Sequence, residues 1–185
     1  MGLRGRSTVE STSQIFFVTT STFHHEKVFG LGRPYCNILI ESLRFVLVEH
    51  KARLMAYVIM PSHIHFVIAM PVGEHISDLM RDFKKFTSTK IRQQLEQNGE
   101  QSRLERLRTN ALGKKNQVFK LWQDRFDDLV LDNEKTLITK IEYIHNNPVK
   151  AGLVEEAEQW EFSSAGNYEG SAHSHLDVVT NWQFD

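Results

Sequence analysis

The chain has 185 residues and carries 22 Lys/Arg against 23 Asp/Glu, a net charge of −1; that length supports one full hydrophobic core. It contains no apolar run of the roughly 18 residues that would span a bilayer, and its only cysteine, Cys36, excludes an internal disulfide and a thiolate zinc cage. The basic start, residues 1–6, is followed by Ser, Thr and Gln rather than an apolar stretch, so it does not read as a signal peptide; a cytoplasmic location without a membrane partner is expected. The charge is uneven. Residues 76–125 carry 12 Lys/Arg against 6 Asp/Glu (+6), residues 126–185 carry 3 against 12 (−9), and residues 1–75 carry 7 against 5 (+2). A basic middle segment suits phosphate-backbone contact, although charge alone favours a solvated helix face.

Residues 1–13 are small and polar and read as a mobile arm, residues 14–170 as a single domain, and residues 171–185 as a tail. Ile15 to Thr20 is β-branched and aromatic, the composition of a first strand. A loop through His24, His25 and Gly30–Gly32 leads to Pro34, suited to the first turn of a helix. Ile38, Leu39, Leu43, Val46 and Leu47 recur at helical spacing, which predicts a helix from Pro34 to about His50. Leu54 to Met60 is a second strand, Pro61-Ser62 a tight connection, and His63 to Met70 a third strand.

Ile76, Leu79, Met80, Phe83 and Phe86 mark a second helix, extendable through Ile91 and Leu95. Its polar face bears Arg81, Lys84, Lys85, Lys90 and Arg92, the candidate phosphate contacts. Residues 97–116 read as a loop or helical extension, and Val118 to Trp122 as a fourth strand. The order β-α-β-β-α-β predicts an α+β fold of the ferredoxin-like kind, an antiparallel sheet with two helices on one face and the other face open for a site. Asp132-Asn133-Glu134 is a helix start; Ile138, Ile141 and Ile144 continue that last helix until Asn147-Pro148 stops it.

The informative residues lie in the third strand and the last helix. On a strand, positions i and i+2 share a face about 7 Å apart, so His63 and His65 project together. The pair is either half of a metal site, since neutral imidazole is a common ligand, or the edge of a solvent-facing sheet. On the last helix Tyr143 and Asn147 are four residues apart and share a face. A free tyrosine, with a pKa near 10, is only about 0.1% phenolate at neutral pH; as a nucleophile it needs a target made electrophilic, which a cation on a phosphoryl oxygen provides. Without that chemistry Tyr143 is a half-buried residue covering the core.

Three motifs in order, Met60-Pro61-Ser62-His63-Ile64-His65, then Leu121 to Phe126 (Leu-Trp-Gln-Asp-Arg-Phe), then Tyr143 to Val154 (Tyr-Ile-His-Asn-Asn-Pro-Val-Lys-Ala-Gly-Leu-Val), resemble the single-tyrosine HUH transposases, and among them the REP-associated tyrosine transposase branch. The resemblance runs from about Ile15 to Tyr168. It implies an enzyme that cuts and rejoins single-stranded DNA beside hairpins through a 5′-phosphotyrosine link. Tyr143 matches the nucleophile, His63 and His65 the metal-binding pair, and Asn147 the oxygen ligand; Mg²⁺ or Mn²⁺ is the implied cation. Hairpin or single-stranded DNA is the implied partner, and a homodimer is compatible with it. Residues 97–116 read as an insertion before the fourth strand, and His145 is given no role. Two rivals stand beside this reading: a catalytically idle or domesticated nucleic-acid-binding protein on the same fold, and a metal hydrolase acting on small phosphoesters.

Overall fold

The computed structural model describes residues 13–112, 118–170 and 175–182; the arm expected over residues 1–13 lies, but for Ser13, outside them. Four strands, β1 (Gln14–Ser21), β2 (Arg53–Met60), β3 (His63–Met70) and β4 (Asp127–Val130), form one antiparallel sheet in the order β2-β3-β1-β4. That order is the one the ferredoxin-like arrangement requires, and the α+β architecture expected from the sequence is the one found. Helices α1 (Arg33–Glu49) and α2 (Ile76–Gln97) provide the two crossovers.

Alternation along β3 divides the molecule. Ile64, Phe66, Ile68 and Met70 point to one face and are sealed there by Leu39, Leu43 and Val46 of α1 and Leu79, Phe83 and Ile91 of α2. Each such side chain, taken fully out of water, contributes about 1.5–3 kcal/mol. Val67 and Ala69 point to the opposite face. There they meet Leu137, Ile141 and Ile144 of helix α4 (Glu134–Lys150). This face, expected to stay open, is therefore half covered: α4 carries its own apolar stripe at positions 137, 141 and 144, and that stripe needs a partner. α4 starts as the sequence predicts, with the Asn133 side chain accepting from the Thr136 N–H at 2.9 Å.

Asn147-Pro148 does not end α4, which continues to Lys150. A proline this close to the C-terminus forfeits one hydrogen bond rather than a run of them, and Pro148 is buried.

The fourth strand is not Val118–Trp122 but β4, five residues further on. Phe119, Leu121 and Trp122 are apolar because they fill the core between loop and helix; their pairing is limited to one isolated antiparallel bridge, Trp122 to Thr22. The Trp122 indole N–H donates to Thr87 Oγ1 at 2.9 Å. Lys120, 2% exposed, pairs with Asp124 at 2.9 Å and lies 4.0 Å over the Phe23 ring. β4 itself exposes all four residues, so no hydrophobic alternation announces it.

Within 97–116 a short helix, α3 (Gln101–Thr109), buries Leu104 and Leu107; residues 113–116 lie outside the described ones. At the other sheet edge, residues 162–164 and 179 close β2. Ile59 N–H donates to Phe162 O and Val179 N–H to Leu54 O, both at 2.8 Å, so residues 175–182, read as tail, include a segment fastened to the sheet. Among the described residues no helix is long and apolar enough to cross a membrane.

Candidate active site

The hairpin turn Pro61-Ser62 sets the register that brings the site together. His63 lies opposite Met60 on β2 and Ser21 on β1, and His65 opposite Val58 and Thr19. The loop before α1 braces the turn. Thr22 N–H donates to Ser62 O and Phe29 N–H to Pro61 O, and a Cβ on Gly30 would come within 3.3 Å of the Pro61 Cβ. A side chain at this position would press the proline back by a few tenths of an ångström.

From this support the two imidazoles converge, their ring centroids 4.8 Å apart. His65 is 5% exposed, and its Nδ1 lies 2.7 Å from Thr19 Oγ1. Burial, helped by the neighbouring His63 and Lys140 charges, pushes the His65 pKa down to about 3. Burial, with a smaller contribution from His25, also lowers that of His63. Both rings are therefore neutral at physiological pH, the form that can ligate a cation.

α4 presents Tyr143 to this pair. Its ring centroid is 5.4 Å from that of His65 and 5.9 Å from that of Phe17, both edge to face. Phe17 in turn stacks on His65 at 5.6 Å. Tyr143 is 40% exposed, so it is accessible from solvent while one edge of its ring rests on the sheet. One turn on, Asn147 Nδ2 donates to the Tyr143 backbone carbonyl at 2.7 Å. A carbonyl accepts only from the amide nitrogen, so Oδ1 is the atom left to act as an acceptor or ligand.

His63, His65 and Tyr143 thus meet on the α4 face, with Asn147 on the next turn of the helix. The α2 cations do not join them: α2 packs on the other face. There a cleft of about 480 Å³ is lined by Lys84, Lys85, Ser88, Thr89 and Arg92 and, across from them, by Val118, Phe119 and residues 121–124. Several of these charges are already engaged. Arg81 pairs with Asp78 and Asp82. Lys84 donates to the carbonyls of Gln123 and Arg125 at 3.0 and 3.1 Å, and burial brings its pKa down to about 8. Arg92 lies 3.9 Å from Glu96. Lys85 and Lys90 are exposed.

Sequence reasoning missed four residues of the site. Phe17 and Thr19 are legible only once the β1–β3 register is known. Lys140 and Lys150 stand three residues before and seven after Tyr143, and helical spacing would have pointed to them. His145, given no role, turns away and bonds Ser164 Oγ through Nε2 at 2.9 Å; burial pushes its pKa down to about 4.

The sheet thus presents two adjacent neutral imidazoles to an exposed tyrosine on a crossing helix. Comparison with known proteins gives the family. The family model for IS200-like transposases matches residues 24–147, a span that includes both histidines and Tyr143 and ends on Asn147, and the chain belongs to that family.

A REP-associated tyrosine transposase of Escherichia coli K12 is 30% identical over 110 residues, 59% of this chain and 52% of that protein. A putative REP-associated tyrosine transposase of Haemophilus influenzae is 29% identical over 110 residues, 60% of this chain and 57% of that one. The match thus spans little more than half the length of either relative. A solved structure of a REP-associated tyrosine transposase bound to a REP hairpin shares the fold, with a TM-score of 0.63 at 21% identity over 100% of this chain and 92% of that one.

Proposed function

We propose that this protein cleaves and rejoins single-stranded DNA beside hairpins, with Tyr143 as the covalent nucleophile. The observation that carries the reading is the cluster of His63, His65 and Tyr143, with ring centroids 4.8 and 5.4 Å apart on one face of the sheet. Binding alone needs none of these three. In the reaction the Tyr143 phenolic oxygen forms a bond to phosphorus as the P–O3′ bond breaks. The phenolic proton is lost, the 3′ oxygen takes up a proton, and the products are a 5′-phosphotyrosine and a free 3′-OH. Attack by that hydroxyl reverses each step and rejoins the strand.

His63, His65 and the Asn147 Oδ1 would hold a divalent cation, Mg²⁺ or Mn²⁺. Among the described residues no cluster of three His, Cys, Asp or Glu could hold a metal ion; the donor set here is two imidazoles and an amide. Three neutral donors leave the cation's charge to be met by phosphate, which fits a metal bound together with DNA. Such an ion would polarise a phosphoryl oxygen. The chain's own part is to orient the ring nitrogens. The tautomer in which His65 Nδ1–H donates to Thr19 leaves Nε2 with its lone pair, the outer-shell arrangement typical of metal-bound histidine.

Hairpin DNA as the substrate class is supported by the relative of the same fold solved with a REP hairpin. Phosphate contacts away from the chemistry fall to the α2 face. Of Arg81, Lys84, Lys85, Lys90 and Arg92, the exposed Lys85 and Lys90 have the most charge to offer. The deciding experiment is incubation of the protein with a labelled hairpin-bearing single strand and Mn²⁺, run on a denaturing gel. A labelled protein band that is lost in His63→Ala and His65→Ala supports the reading. Turnover without an adduct would assign a hydrolase instead, and binding without turnover an idle DNA-binding protein.

A further inference from the structure

The C-terminal third of the chain is strongly acidic. Residues 126–185 hold twelve Asp/Glu and only three basic residues, Lys135, Lys140 and Lys150. Two of those three stand beside Tyr143. The Lys140 ammonium is 5.6 Å from the centre of the Tyr143 ring and 4.6 Å from that of Phe17. The Lys150 ammonium lies 5.6 Å from the Tyr143 ring as well. Neither makes an ion pair with a carboxylate among the described residues.

Positions 140, 143, 147 and 150 follow helical spacing of three, four and three, so Lys140, Tyr143, Asn147 and Lys150 form one stripe of α4 about 15 Å long. A cation in the last turn has an ordinary explanation, since it complements the helix dipole; this applies to Lys150. It does not apply to Lys140, which sits mid-helix, half-buried, with its ammonium over the Phe17 and Tyr143 rings. An unpaired ammonium beside a nucleophile is set up to receive an anion.

We propose that Lys140 and Lys150 form a phosphate grip on the tyrosine helix. Their ammonium groups, on the two sides of Tyr143, hold the non-bridging oxygens of the single-stranded DNA phosphodiesters at and next to the bond that Tyr143 attacks. The inference rests on the nicking reading above and adds to it the residues that position the phosphate. Lys140 bears on the scissile phosphate, where negative charge builds up during attack, and Lys150 on a neighbouring one. Preorganised cations at such a place contribute more to the rate than to ground-state binding.

The test uses the full chain with a fluorescent hairpin-bearing single strand and Mn²⁺, and compares wild type with Lys140→Met, Lys140→Arg and Lys150→Met. Methionine keeps the apolar stem over Phe17 and removes the charge; Lys140→Gln replaces it if the Met variant fails to fold. Single-turnover adduct formation at saturating DNA should fall about 100-fold in Lys140→Met and stay within about 3-fold of wild type in Lys140→Arg. Each Met variant should also flatten the dependence of log K on log salt by about 0.7.

A wild-type rate and slope in Lys140→Met overturns the proposal. So does a lower melting temperature with an unchanged slope, because that is the signature of a cation–π clip holding α4 to the sheet. If wild type forms no adduct, the nicking reading fails by itself; the slopes then decide for the grip, and unchanged slopes in both Met variants refute it.

Discussion

The two faces of one strand divide the work in this protein. On one side of β3, Ile64, Phe66, Ile68 and Met70 are at most 1% exposed and closed over by α1 and α2. On the other, Val67 and Ala69 continue a smaller core under α4, but the strand's first two outward positions are His63 and His65, beside a tyrosine that is 40% exposed. The difference follows from a period of two: successive side chains cannot share a face. One face is filled to hold the sheet; the other is half filled, so that α4 is held along its apolar stripe while its polar stripe stays accessible. Changes on the first face should thus cost stability, and changes at the polar end of the second should cost activity with the fold intact.

The sharpest break is Tyr143→Phe. It removes one oxygen from a residue whose ring contacts with His65 and Phe17 survive, so stability should change by no more than about 1 kcal/mol. Adduct formation should drop to background while hairpin binding persists. An adduct in this variant, or one mapped by mass spectrometry to Tyr35, Tyr57 or Tyr168, would reassign the nucleophile. On the opposite face Phe66→Ala should do the converse. Phe66 is fully buried and meets Phe83 edge to face at 6.2 Å, so about 3–5 kcal/mol should be lost, read as a lower denaturation midpoint. A loss under about 1 kcal/mol would mean that this face is not the one that holds the sheet.

The buried histidines of the α4 side extend the contrast to pH. His65 and His145, with pKa values pushed down to about 3 and about 4, stay neutral in the folded protein, whereas in the unfolded chain each takes up a proton near pH 6.5. Between pH 6.5 and about 4 the unfolded state thus binds more protons. The stability these rings contribute is complete above pH 6.5 and is lost as pH falls through that window, by up to about 3 kcal/mol for each ring. Urea midpoints measured from pH 7.5 to 4.5 should show the decline, and His145→Gln should flatten it. An equal decline in that variant would place the titrating group elsewhere.

How far the sequence spoke follows the same division. β3 was legible because an apolar run with two polar interruptions at i and i+2 puts both on one face of a strand, and its limits, His63 and Met70, are those found. α4 was legible from its cap and its isoleucines. β4 was not, since Asp127-Asp128-Leu129-Val130 is wholly exposed and owes its extended form to pairing with β1. The apolar segment before it imitated a strand because a core-filling loop and a strand bury the same residues. Phe17, Thr19, Lys140 and Lys150 were hidden for a third reason: they belong to the site through register and helix rotation, which no single segment reveals.

The smallest expected effect concerns the α2 face, where the comparison can be made within one helix. Lys85 and Lys90 are exposed and make no ion pair among the described residues, whereas Arg81 is tied to Asp78 and Asp82. A lysine that neutralises a phosphate releases a counterion; one already neutralised by carboxylates releases little. Lys85→Gln with Lys90→Gln should therefore reduce the slope of log K against log salt for single-stranded DNA by about 1.4, that is about 0.7 for each contact, while Arg81→Gln leaves it unchanged. Adduct formation at saturating DNA should be the same in all three proteins, because cations that stand across the sheet from Tyr143 would set affinity rather than rate. An unchanged slope in the double variant would move the DNA path off α2. A slower rate at saturation would mean instead that the two faces are coupled through the strand they share.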